Sequence, residues 1–215
     1  MLVIAGILTP VAAISSIYDL DRKAEGQTVH QPTGTNANTQ VQVGGGNTTY
    51  PYFGYNPQTV EINVGSKVVW NALSQGIAEP HTITFVFNDK TMTSADTPFA
   101  VLNSTKFNPS PPESNSEPNM IPSKNGMNTV IVNNGRSYNP TVINSTGGVK
   151  TAPPNASFTI AGNEQYVNSG FLVPKTAEKA YPGSSNTFTV TFQKEGTYYY
   201  LCILHPWMTG TVIVK

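Results

Sequence analysis

The chain has 215 residues, which as a length prior means one domain, since all-β domains of roughly 200–250 residues are ordinary. Only 11% of residues are charged, and twelve basic residues balance twelve acidic ones, so nothing electrostatic favours nucleic acid or another polyanion as partner. A single cysteine excludes an internal disulfide and a cysteine-rich zinc site, and with three histidines any metal centre must be built from very few residues.

In chain order, residues 2–18 come first and are apolar apart from Thr9, Pro10, Ser15 and Ser16. The run is longer than a signal-peptide core and just short of the ~20 residues of a minimal membrane span. Residues 1–18 are therefore expected to be an export signal or a membrane anchor, in preference to a buried strand or helix. Residues 19–49 are polar, with a glycine run at Gly44-Gly45-Gly46, and read as a flexible tether. Sequons at Asn47, Asn103, Asn144 and Asn155 agree with an extracytoplasmic location.

A structured domain is expected over residues 50–215. Alternation places Val60, Ile62 and Val64 on one face of a first strand; Lys67-Val68-Val69-Trp70 is a second, and residues 81–87 are a third that begins at His81. From about 89 to 155 Pro, Asn, Ser and Gly interrupt the pattern. Only residues 128–132 look like a strand there, so the stretch reads as a long insertion, partly ordered. Strand patterns return at residues 156–160, 187–192, 196–202 and 210–214. No internal repeat, sustained helical period or phosphate-binding glycine loop is present. The fold class is all-β, a sandwich of short strands carrying one large insertion.

The chemistry concentrates in Cys202-Ile203-Leu204-His205-Pro206-Trp207-Met208. A thiol, an imidazole three residues on and a thioether three after that share one short loop between two strands. Type 1 copper takes two His nitrogens and one Cys sulfur in a trigonal set, with a weak axial Met. The second imidazole would be His81, at the start of its strand. On the residues alone other readings stay open. A lone cysteine is commonly a buried apolar residue, a structural zinc site would want four N, S or O ligands and no Met, and a Cys–His nucleophile would lack an orienting third group. His30 reads as a solvated residue of the tether.

On these motifs the chain resembles the cupredoxins, the plastocyanin and amicyanin family. Cys202-x2-His205-Pro206-x-Met208 is similar to the short amicyanin ligand loop, Gly196-x-Tyr198-x-Tyr200-x-Cys202 to the strand entering it, and Met208-Thr209-Gly210-Thr211-Val212 to the strand leaving it. Residues 57–70 resemble the family's opening strands, and His81-Thr82 its first ligand. Ser169-Gly170-Phe171 and Tyr181-Pro182-Gly183 resemble its middle section. The resemblance implies a Greek-key cupredoxin β-sandwich and one mononuclear type 1 copper held by His81, Cys202, His205 and Met208. Glu79 could also approach the metal, because red copper sites in related proteins use a carboxylate. The implied function is electron transport, carrying single electrons between extracytoplasmic redox partner proteins, and the chain is then not an enzyme. The alternatives are a copper redox protein with an open coordination position acting on a small molecule such as nitric oxide, and a copper-binding or delivery module without turnover. The imidazole at His205 would be the exposed edge through which electrons leave, with Pro206 and Trp207 in an apolar docking patch.

Overall fold

β-Branched and aromatic residues alternating with Asn, Gln and Lys suit a pleated, half-buried backbone, and more than half of the described residues take that form. The computed structural model describes residues 28–30, 38–47, 49–72, 79–92, 119–122, 128–131 and 135–215. Among these the strands are β1 (Thr28–His30), β2 (Asn38–Gly46), β3 (Pro51–Asn56), β4 (Thr59–Ile62), β5 (Lys67–Asn71) and β6 (Thr84–Val86), then β7 (Asn119–Pro122) and β8 (Asn128–Ile131). A single helical turn, α1 (Gly135–Tyr138), precedes β9 (Pro140–Asn144), β10 (Val149–Thr151), β11 (Ser157–Ile160), β12 (Glu164–Ser169), β13 (Thr187–Phe192), β14 (Gly196–Leu201) and β15 (Thr209–Val214).

Two sheets form the expected all-β sandwich. One runs β1-β4-β15-β14-β6-β12-β9-β10 and the other β11-β13-β5-β2-β3, while β7 and β8 form a separate two-stranded pair among the described residues. Period-two alternation decides which side chains lie between the sheets. Phe188, Val190 and Phe192 of β13 are buried, as are Val68 and Trp70 of β5, and the register sets Phe188 opposite Trp70 and Val190 opposite Val68. From the facing sheet come Val60 and Ile62, Tyr198 and Tyr200, and Val212 and Val214. Each large apolar side chain buried in this way contributes ~1.5–3 kcal/mol.

Two expectations need correction. The tether over residues 19–49 does not hold where the backbone is described. β2 pairs parallel with β5 from Asn38 to Gln42 and antiparallel with β3, and it buries Thr39, Val41 and Val43. Its alternation was hidden because Asn and Gln occupy the outward positions, the polar Thr39 is one of the inward ones, and glycines end the strand. β1 lies parallel to β4, with His30 opposite Glu61, so His30 sits in a sheet strand. The stretch expected as an insertion, residues 89–155, also contains a strand of the sandwich. β9 pairs with β12 inside the large sheet and buries Pro140, Thr141 and Ile143. Pro140 at its start and the Gly147-Gly148 turn after it masked the pattern. The leader expected at residues 1–18 lies outside the described residues, among which no helix is long and apolar enough to cross a membrane.

Candidate metal centre

β14 delivers the cysteine. Tyr198 and Tyr200 point into the core, so Cys202, next on the same face, points inward as well and is wholly buried. The loop after it is closed by backbone hydrogen bonds. Cys202 N–H donates to the Met208 carbonyl (3.0 Å), Met208 N–H to the His205 carbonyl (2.8 Å), and His205 N–H to the Cys202 carbonyl (3.2 Å). With its backbone groups satisfied inside the turn, the loop stays short and holds the His205 imidazole over the sulfur.

His81 arrives from the same sheet. It pairs with Leu172 in an isolated antiparallel bridge, each N–H donating to the other's carbonyl (3.0 and 2.7 Å). The following residue ties that segment to the loop: Thr82 N–H points at Cys202 Sγ (3.3 Å), and Thr82 Oγ1 accepts from Ile203 N–H (3.0 Å). The Thr82 carbonyl accepts from Tyr55 Oη–H (2.6 Å). Ser169 Oγ accepts from Ile83 N–H (2.8 Å), and Asn168 Oδ1 accepts from the Thr84 hydroxyl (2.9 Å). Asn168 Nδ2 in turn donates to the carbonyls of Arg136 and Ser137 (2.6 and 3.1 Å), so the end of the supposed insertion braces the segment that carries His81.

The ligand-type atoms of His81, Cys202 and His205 lie within 4.8 Å of one another, and all three residues are buried. His81 Nδ1 is 3.3 Å from His205 Nδ1, which is 3.6 Å from Cys202 Sγ. Burial pushes the Cys202 thiol up, but hydrogen bonds from His205 and His81 and their charge outweigh it, and the thiol is lowered to about 6. Burial likewise disfavours the His205 imidazolium, yet bonds to Cys202 and Glu79 outweigh it and raise it to about 9. Two imidazole nitrogens converging on a readily ionised sulfur fit type 1 copper, whose soft thiolate and borderline imidazoles this donor set supplies. Met208 is buried at the end of the loop.

Glu79 does not join the cluster. Its Oε1 accepts from His205 Nε2 at 3.0 Å, on the ring edge away from the sulfur. That bond, ahead of the opposing effect of burial and with the charge of both imidazoles, holds its carboxyl below the usual range. Trp207 is 68% exposed and meets the His205 ring edge-on at 5.3 Å between centroids. Sequence reasoning missed Phe53, whose ring lies 5.1 Å from His205 and 6.1 Å from His81. The aromatic run Tyr52-Phe53-Gly54-Tyr55 was the available signal.

The sequence pattern of the copper binding proteins of the plastocyanin/azurin family matches residues 39–215. Comparison with curated proteins returns no match. The solved structures to which the chain is similar include a mutant of amicyanin in its Cu(I) state, at 13% identity and TM-score 0.34, covering 82% of this chain and 81% of that one. They also include a purple cupredoxin from Nitrosopumilus maritimus, at 18% identity and TM-score 0.32, covering 82% and 99%. Reduced auracyanin from Roseiflexus castenholzii is similar at 16% identity and TM-score 0.34, covering 83% and 96%.

Proposed function

The chain belongs to the plastocyanin/azurin family of copper binding proteins, and we propose that it carries single electrons between extracytoplasmic redox partner proteins. Its cofactor is one type 1 copper. Bound in such a site, copper alternates between its +1 and +2 states and so accepts or gives one electron at a time. His81, Cys202 and His205 are its ligands in this reading, with Met208 the weak axial one. The burial of all three donor groups is the observation that carries it. Outer-sphere transfer needs metal-binding side chains covered from solvent and one edge near the surface. Phe53 lies over both imidazoles, and Trp207 brings an exposed indole to the His205 ring.

The residues around the cluster do the positioning. Thr82 N–H directs a hydrogen bond at the sulfur, which draws charge from the thiolate and raises the potential. Glu79 on His205 Nε2 acts in the opposite sense and fixes which ring nitrogen is free to bind metal. Export or membrane anchoring by residues 1–18 is part of the same proposal, supported by their apolar run. Fractionation of cells making the full chain should find it outside the cytoplasm or in membranes.

The experiment that tests the carrier reading uses the copper-loaded protein. Its optical and EPR spectra should show thiolate-bound Cu(II) that azide and nitric oxide barely alter. Trp207→Glu should slow electron exchange with a redox partner and leave the spectra nearly unchanged. Direct binding of these small ligands to the oxidised copper, or turnover of nitric oxide, would replace the carrier by a small-molecule redox protein.

A further inference from the structure

The glycine run Gly44-Gly45-Gly46 is too specific in its placement to be mere punctuation. It ends β2, where the ladder with β3 slips. Val43 faces Tyr55 and Gly45 faces Tyr52, so two residues of β3, Phe53 and Gly54, stand opposite the single residue Gly44. A bulge of this kind bends the strand and re-aims a side chain. Here the re-aimed side chain is Phe53, whose ring reaches both imidazoles, at 6.1 Å from His81 and 5.1 Å from His205.

Gly44 itself lies against the ligand. It has φ +62°, and a Cβ built there would sit 2.5 Å from His81 Nε2 and 2.8 Å from its Cδ2. No carbon approaches a ring that closely, so either the ring or the strand would have to move. The ring has little freedom to do so: His81 is 6% exposed, its backbone is bridged to Leu172, and its Nδ1 is 3.3 Å from His205 Nδ1. Glycine is the residue that allows a backbone to approach so closely and to take this left-handed conformation.

We infer that the β2–β3 bulge is the seat of His81: Gly44 admits its imidazole, Phe53 closes over it, and together they set where its Nδ1 points. This rests on the copper reading above and adds to it a positioning role for a hairpin that supplies no ligand.

The test compares Gly44→Ala with Gly65→Ala. Gly65 also has a left-handed φ, +86°, but a Cβ there meets nothing within 4 Å, so it reports backbone strain without contact. Gly44→Ala should weaken Cu(II) binding about 10–100-fold, the usual effect of disturbing what orients a ligand. It should also shift the thiolate-to-copper band and the EPR parameters, whereas Gly65→Ala should leave all three unchanged. In the copper-free protein, the nitrogen-15 NMR signals of the His81 ring should move in Gly44→Ala alone. A folded Gly44→Ala protein with the spectra, affinity and ring signals of Gly65→Ala overturns the inference. Should Gly44→Ala fail to fold, Phe53→Ala decides, since unchanged spectra and ring signals there overturn it equally. If the unmutated protein shows no thiolate–copper band, the copper reading fails, while the ring signals of the copper-free chain still judge the seat.

Discussion

Glu79→Gln isolates one charge at the metal centre. The carboxylate accepts a hydrogen bond from His205 Nε2 at 3.0 Å, while the opposite ring nitrogen, Nδ1, faces Cys202 Sγ at 3.6 Å. A carboxylate on the outer nitrogen makes the inner one a stronger donor, and the stronger donor favours Cu(II) over Cu(I). Glutamine keeps an acceptor oxygen and removes only the charge. Hydrogen bonds to charged groups contribute ~1.5–3 kcal/mol and neutral ones ~0.5–1.5, so the difference is about 1 kcal/mol. Because the Glu79 side chain is 36% exposed, solvent screening trims this to roughly 0.5–1 kcal/mol. At 59 mV per tenfold for one electron, the reduction potential should rise by roughly 20–40 mV if the whole effect falls on the oxidised state. Cu(II) affinity should then fall roughly 2–5-fold, with Cu(I) affinity nearly constant. A redox titration followed at the visible band measures the first quantity, and competition with chelators of each oxidation state measures the second. A potential that falls or does not move would refute the argument, because it would mean that the carboxylate leaves the ring once copper is bound.

Further outcomes follow from the same geometry. Cys202→Ser should abolish the intense visible band, and a mutant that stays coloured would remove the sulfur from the ligand set. Copper loading at pH 7.5 should release about one proton: His205, raised to about 9, is protonated there, Cys202, lowered to about 6, is already a thiolate, and both must bind deprotonated. The release should fall as pH rises through about 9 and grow as pH falls through about 6, where the thiol contributes its own proton, which calorimetry in buffers of different ionisation enthalpy will resolve. Replacing residues 93–134 by a Gly/Ser link should leave the copper spectrum intact, since loop closure changes by only ~0.6 kcal/mol per doubling of length. Extending the deletion through residue 155 should prevent folding, because it removes β9 and the Arg136 and Ser137 carbonyls that bind Asn168.

Much of the centre was legible along the chain because its parts are local. Cys202, His205 and Met208 share one tight loop, and the alternation of Tyr198 and Tyr200 already fixes the side to which Cys202 points. β13, β5 and β15 were equally plain, since a strand with one buried face writes its period into the residues. β2 and β9 were not, because glycines, prolines and polar outward positions break the pattern, and only pairing with a neighbouring strand shows what they are. The partners of His81 and His205 were decided by tertiary structure alone. Glu79 is two residues from His81 yet binds His205, 126 positions away, on the nitrogen opposite the one that faces Cys202 Sγ. Gly44 and Phe53 stand 37 and 28 positions before His81, in a hairpin whose first arm has the composition of a tether. Sequence records which residues can bind a metal, because that follows from side-chain chemistry. It does not record what holds them in place, because that depends on the register between strands far apart in the chain.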